Sequence, residues 1–375
     1  MADALVAALD KAIGRQVDAI LHHPDFTRLE AAWRGLRYLV DQVDGMAAVR
    51  VRILSASWRE VCRDLDRAAE FDQSTLFRLV YSEEFGTPGG LPFGLMVCDY
   101  AVSNRLGPEH PTDDVSALQS LAAIAAASFC PFVLGAAPAL FGVDEFADLG
   151  TGADPGSVFT APEHARWQRL RSMEDTRFLG VTMPRILLRL PYRGGDRRRR
   201  DGFPYAEDTG GRSAGLLWGN AAFAFAAVVA RQFTAFGWFA DMRGVPQDSI
   251  GGGLVTGLPR FAFGTDAHGL AFQAPVEVRL TARQEQSVGE AGVIPLSAVP
   301  YAASLVFNDN GSLHVPLRYD RQEATVNARI SAMLQYVLCA SRFAHVLLVL
   351  MRDRVGGFAD APGIETSLNR WLSQY

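Results

Sequence analysis

Few side chains in this sequence have the spacing that chemistry needs. Gly211-Arg212-Ser213-Ala214-Gly215 matches the nucleophile elbow, in which a serine on a tight turn between strand and helix attacks an acyl carbon. Ester or amide hydrolysis by an α/β hydrolase is the activity it would support. An elbow needs an apolar strand running into its serine, and residues 205–210 are polar, so the motif lacks its context. His22 and His23 are adjacent, which points their rings apart on a helix, and no His-Glu-x-x-His follows. A helix-end or packing role suits them better. His345 sits among apolar residues and reads as a core histidine. Gly251, Gly252 and Gly253 could offer amides to a phosphate, but without a Gly-x-Gly-x-x-Gly run after a strand a turn is the simpler reading.

Other chemistry is excluded by composition. Lys11 is the only lysine among 36 Lys plus Arg, so a phosphate-binding loop ending in Gly-Lys and a Schiff-base lysine are both ruled out beyond it. Cys62, Cys98, Cys130 and Cys339 form no Cys-x-x-Cys pair, which signals neither zinc nor a disulfide framework and fits a reducing compartment. No catalytic, metal or cofactor set emerges. The formal net charge of -5 does not suit a phosphate backbone, so nucleic acid is not an expected partner. The one basic run, Arg197 to Arg200 with Arg193, is flanked by Asp196, Asp201, Glu207 and Asp208. It reads as a solvated loop that neutralises itself, with contact to an acidic protein surface as the alternative.

The elements that would carry these residues follow from periodicity. Residues 1–21 form an amphipathic helix and not a signal peptide, because Asp3, Asp10 and Lys11 interrupt the apolar run. Phe26, Leu29, Trp33, Leu36 and Leu39 keep a helical period with Arg28, Glu30, Arg34 and Arg37 largely opposite. That helix starts at Pro24 and Asp25, or at a Thr27/Glu30 capping box. Residues 49–54 alternate as a half-buried strand would, and helices follow over 58–71 and 74–85. Strands over 93–100 and 131–136 enclose an Ala-rich helix over 115–128, the spacing of a parallel βαβ unit.

Further on, 186–190 is a strand and 216–236 a helix apolar nearly all round, hence buried. The windows 117–142 and 215–240 are too interrupted, by Pro131 and Pro138 and by Asn220 and Arg231, for membrane spans. Strands near 258–263, 270–280 and 293–299 suggest a second sheet region. A long helix over 321–354 and a closing segment over 364–375 complete a mixed α/β chain. Its expected regions are 1–90, helical with one strand; 91–245, α/β; and 246–375, ending in helices.

Beyond these patterns, Gln16-Val-Asp-Ala-Ile-Leu-His-His-Pro-Asp-Phe and Leu29-Glu-Ala-Ala-Trp-Arg-Gly-Leu-Arg-Tyr-Leu-Val resemble the signature of the large subunit of the type VI secretion contractile sheath, the TssC or VipB family. Similar strings follow in collinear order. They include Val80-Tyr-Ser-Glu-Glu-Phe-Gly-Thr, Met183-Pro-Arg-Ile-Leu-Leu-Arg-Leu-Pro-Tyr, Leu217-Trp-Gly-Asn, Ser341-Arg-Phe-Ala-His, Met351-Arg-Asp-Arg-Val-Gly and Leu368-Asn-Arg-Trp-Leu.

The resemblance implies a contractile-tail-sheath-like fold, several sheets flanked by helices with a long C-terminal helix. It also implies a non-enzymatic protein of the bacterial cytoplasm. Such a subunit pairs with a small sheath subunit (TssB/VipA-like), stacks with its own copies around an inner tube (Hcp-like), contracts, and is recycled indirectly by an ATPase. Trp33, Leu36 and Tyr38 carry its most specific string and are expected either to bind the small subunit or to pack the core. Arg352, Asp353 and Arg354 are expected to face the tube, beyond an apolar run over 346–351 that should stay buried, with Gly356 and Gly357 as the alternative helix cap. Family members have a longer N-terminal extension and further strands after Leu-Asn-Arg-Trp. Their absence makes an accessory or capping paralogue the alternative expectation.

Overall fold

The computed structural model describes residues 2–373 apart from 47, 109, 151, 153, 194–202, 204, 212, 247–249, 263–271, 301, 303 and 355–360. Helices α1 (Ala2–Leu21) and α2 (Pro24–Val43) open the chain. His23 caps α2 by accepting from the Asp25 amide, with Pro24 in the first turn. The capping box read at Thr27 and Glu30 is not formed: the Thr27 hydroxyl donates to Leu21 O at 3.0 Å and Glu30 faces two arginines. Helix α3 (Trp58–Arg67) starts at a true capping box of Ser57 and Glu60. α4 (Thr75–Phe77), a π-helical turn (Arg78–Ser82) and α5 (Glu83–Phe85) run on as one rod.

The expected βαβ unit is present. β1 (Met96–Val102) and β2 (Phe132–Ala136) pair in parallel, with α6 (Asp114–Ala127) crossing between them. β3 (Leu179–Met183), reached through α7 (Ala165–Arg171), extends the parallel ladder on the far side of β2. β4 (Ile186–Arg189) and β5 (Leu217–Gly219) form a separate antiparallel pair. The buried helix α8 (Ala222–Phe236) begins five residues after Leu217, because 217–219 go into that strand.

The remainder is β6 (Leu254–Val255), the short pair β7 (Phe261–Ala262) and β8 (Phe272–Gln273), α9 (Ala282–Glu290), β9 (Ile294–Ala298) and β10 (Leu305–Phe307). The chain ends in α10 (Gln322–Ser331), α11 (Leu334–Arg352) and α12 (Ala361–Leu372).

The second sheet region expected after residue 258 is corrected here. β9 hydrogen-bonds in parallel to β3, giving one six-stranded sheet in the order β1-β2-β3-β9-β10-β6. Among the described residues, β7 and β8 stand apart from it, as the β4/β5 pair does. β2 shows how the sheet is covered on both faces: Phe132 and Leu134 enter the cluster around Leu118, Ile124 and Trp167, whereas Val133 enters the cluster around Phe225, Leu334 and Leu338. A parallel sheet covered on both faces requires such runs.

Asn220 closes an irregularity in this sheet. The β1/β2 register slips between Val97 and Ala101, and the Asn220 amide nitrogen donates to the Cys98 and Tyr100 carbonyls, each at 3.2 Å. Its Oδ1 accepts from the Ala222 amide at 2.9 Å, fixing the first turn of α8. Gly135 must be small there, since a Cβ would come within 2.8 Å of Asn220 Oδ1.

Two further expectations change. The long helix over 321–354 breaks at Met333, which is extended (φ -82, ψ 133) and bridges Gly311. The strand over 49–54 is not formed: from Arg50 to Ala56 the chain runs without turn, bend or ladder.

Candidate assembly surface

α2 has two apolar faces. The inner one is fixed by close contact. Gly35, Tyr38 and Leu39 are buried, Gly35 against the Phe223 ring of α8, and the Tyr38 hydroxyl donates to Thr256 O at 3.0 Å. Burial pushes the Tyr38 phenol up, a nearby Arg231 only partly opposing it. On the outer face Phe26, Leu29, Trp33 and Val40 meet solvent, Trp33 at 63% exposure. The string Trp33, Leu36, Tyr38 is therefore divided by the fold. Tyr38 is core, Leu36 is half-buried against the core, and Trp33 points outward.

Charges lock α2 and α1 to the body. Arg189, buried at the end of β4, donates from Nε to Glu30 at 2.8 Å and from Nη2 to Glu207 at 3.0 Å. Glu30 also takes Arg34 Nε at 2.7 Å. Glu207 is met further by His22 Nε2 at 3.1 Å and the Tyr192 amide at 3.0 Å. Burial alone would raise the Glu207 carboxyl, but the Arg189 hydrogen bonds and charge and the Tyr192 amide outweigh it and hold it below the usual range. Glu207 thus serves Arg189; the Arg197 to Arg200 run lies outside the described residues. α1 is held by Asp18, which accepts from the Tyr205 hydroxyl at 2.6 Å and the Asp208 amide at 3.2 Å. Its other side leaves Leu5, Val6, Leu9, Ile13 and Ile20 exposed. Both helices thus leave apolar side chains exposed while α2 is held to the body through Arg189 and α1 through Asp18.

Trp33 could be picked out from the sequence, but Arg189, Glu30 and Glu207 could not be joined. A charge inside the run Ile-Leu-Leu-Arg-Leu signals a paired arginine without saying which acid pairs it.

At the other end of the chain, Arg352 is not free. Its Nη1 donates to Glu84 O at 2.9 Å and Gly90 O at 3.0 Å, and its Nε meets Asp353 at 2.9 Å. Arg354 reaches Ser367 of α12, and Asp353 is exposed. The run 346–351, expected to be buried, is half-buried up to Leu350 and exposed at Met351. α11 is long and apolar enough to cross a membrane by length and composition. Its buried face sets Leu334, Val337 and Leu338 in the core and carries polar Gln335, Ser341 and His345 beside them. Gln335 accepts from Asn310 at 3.0 Å and His345 hydrogen-bonds Ser128 O at 3.1 Å. Burial lowers the His345 imidazole, as a core histidine requires. Gly356 and Gly357 lie outside the described residues.

Ser213 opens a 3-10 turn (Ser213–Gly215). Its carbonyl accepts from Trp218 Nε1 at 2.8 Å, while among the described residues its hydroxyl has no hydrogen-bond partner to act as a base. The triple glycine is a turn: Gly252 N–H is taken by Asp241 at 3.2 Å and Gly253 N–H by Gly244 O at 2.9 Å, leaving neither for a phosphate. Among the described residues no group of His, Cys, Asp and Glu could hold a metal ion.

Comparison with known proteins matches this architecture. The EvpB/VC_A0108 tail sheath N-terminal domain covers residues 3–314 and the tail sheath gpW/gp25-like domain covers 323–375, the division falling just before α10. The type VI secretion system sheath protein TssC1 of Pseudomonas aeruginosa is 36% identical over 376 residues, spanning 100% of this chain and 73% of that protein. A structural sheath family gives the hydrolase alternative at Ser213 no support. By both domain matches and by this identity, the chain belongs to the EvpB/VC_A0108 family of tail sheath proteins.

Proposed function

We propose that the protein is the large subunit of a type VI secretion contractile sheath. In this reading it pairs with a small sheath subunit, stacks with its own copies around an Hcp-like inner tube, and contracts to propel that tube. The observation that carries the reading is the sheath-family match along residues 3–314 and 323–375 in a chain whose α2 turns Trp33 to solvent. Exposed aromatic and aliphatic side chains on a rigid helix are the anchors obligate partners use. Heterologous contacts that do not close generate helical filaments, and a change between two packings of rigid subunits would be the contraction.

The small subunit docks on α1 and the outer face of α2, with Trp33 and the open part of Leu36 as contacts and Tyr38 as support from behind. The tube faces the end of α11, where Asp353 and Arg354 set register and Arg352 holds the helix end in place. Exposed ion pairs add little individually, so repetition along the tube supplies the strength. The assembly works in the bacterial cytoplasm, with an ATPase acting on it after contraction. Free, mainly buried cysteines suit that compartment.

The test is co-expression of the tagged chain with the small sheath subunit, comparing Trp33→Asp and Leu29→Asp with the parent. Loss of co-purification at unchanged melting temperature is expected. Full retention of the small subunit by both variants would overturn the docking face.

A further inference from the structure

No local signal breaks the chain at Met333. From Arg321 to Arg354 there is neither glycine nor proline, and Ala332, Met333 and Leu334 at the break are strong helix formers. Val326, Ile330, Met333 and Val337 keep one helical stripe across it. What parts α10 from α11 is a clasp made by residues 310–312. Ser312 N–H donates to Ala332 O and Leu334 N–H to Asn310 O, both at 2.9 Å, while the Asn310 side-chain amide donates to Gln335 Oε1 at 3.0 Å.

The clasp is imperfect and holds little. Asn310 Oδ1 and Ser312 Oγ are buried in it and, among the described residues, have no hydrogen-bond partner, which costs stability while it stays closed. α10 has no buried residue and borders an open cavity of about 410 Å³ whose opposite wall includes Arg177 and His314. Its hydroxyls bond its own linker and backbone, Thr325 to Tyr319 O at 3.0 Å and Ser331 to Ala328 O at 2.9 Å. Residues 317–321, which lead into it, are all exposed. Opening the clasp returns Leu334 N–H to Ile330 O in the α-helical pattern, so the helix loses no backbone bond.

We propose that residues 310–312 are a releasable latch, which keeps α10 out of line with α11 in the free chain and lets go on incorporation into a sheath filament, so that the two join as one helix over 322–352. This rests on the sheath reading above. The direction follows from burial. A joined helix carries Val326 and Ile330 away from the body, Val326 being 47% exposed already, and a neighbouring copy in the filament covers the lengthened apolar stripe. The free chain therefore favours the latch and the filament favours the continuous helix.

A disulfide can lock the latch. Gly311 and Met333 face each other between those two backbone bonds, a non-hydrogen-bonded antiparallel pair of the kind whose Cα atoms lie about 4.5 Å apart, within disulfide reach. A Cβ at Gly311 would find its nearest non-neighbour atom, Asp309 Oδ2, at 4.0 Å. Gly311→Cys with Met333→Cys, co-expressed with the small sheath subunit and oxidised, should keep the parent's melting temperature and small-subunit capture yet form at least tenfold fewer filaments. Reduction should restore them. In the parent, carried through the same oxidation, the Ser312 amide should exchange hydrogen at least tenfold faster in filaments than in the free chain, with the Leu334 amide slow in both. That second measurement needs no substitution, so it decides even where the double variant misfolds. Filaments at the parent's level from the verified disulfide, or equally slow Ser312 exchange in parent filaments, would overturn the latch and leave the sheath reading standing. A parent that forms no filaments with the small subunit would overturn both.

Discussion

Gly35 of α2 packs against the ring of Phe223 on α8 so closely that a Cβ at Gly35 would overlap Cδ2 and Cε2 of that ring. The glycine inside the Trp-Arg-Gly-Leu string is thus what lets α2 approach the core while Trp33, two residues away, stays outside. Gly35→Ala should cost about 1 to 3 kcal/mol by overpacking, measured by chemical denaturation. Gly14→Ala on α1, where the nearest atom would be Tyr205 Cδ2 at 3.9 Å, should be neutral or stabilise by up to about 1 kcal/mol through helix propensity.

Much of this arrangement is legible in the sequence. The spacing of Phe26, Leu29, Trp33, Leu36 and Leu39 marks the helix, but periodicity reports apolar faces and not what covers them. α2 has one face on Phe223 and another on solvent. Similarly, β1-α6-β2 is readable because its parts are consecutive, whereas the pairing of Thr182 with Ile294 joins distant residues that no local pattern links. The strand pattern over 49–54 is real in the sequence and unfulfilled in the isolated chain. The long C-terminal helix fails at Met333 because Asn310 and Gly311 capture the backbone there, a tertiary contact invisible to helical spacing.

Trp33 and Tyr38 should separate binding from stability. Trp33→Ala should change unfolding free energy by no more than about 0.5 kcal/mol, as exposed sites do, while reducing capture of the small subunit. Tyr38→Phe should cost about 1 kcal/mol for the lost hydrogen bond to Thr256 O and leave capture near parent. Equal effects of the two on stability would contradict the division of α2 into an inner and an outer face.

Arg189 is expected to be the most sensitive charge. Truncation to Ala leaves Glu30 and Glu207 without their shared partner and should cost about 3 to 5 kcal/mol. Because the folded Glu207 carboxyl titrates below its ordinary value, its contribution is complete above the unfolded pKa of about 4.3 and is lost as pH falls through the lower folded value. Melting temperature measured from pH 7 downward should therefore drop in that acid window. Glu207→Gln should flatten this part of the profile; an unaltered acid limb would show that other carboxylates govern it.

Arg352 and Asp353 should behave differently although adjacent. Arg352→Glu removes the bonds to Glu84 O and Gly90 O and should lower the melting temperature by several degrees. Asp353→Arg, on an exposed side chain, should leave it unchanged. If the tube faces this helix end, Asp353→Arg combined with Arg354→Glu should reduce tube-dependent assembly more than small-subunit binding.

Electron microscopy of the chain co-expressed with the small sheath subunit tests the central claim most directly. Hollow helical filaments containing both proteins are the expected result, abolished by Trp33→Asp. A soluble, monodisperse chain that neither binds the small subunit nor forms filaments with it would contradict the account.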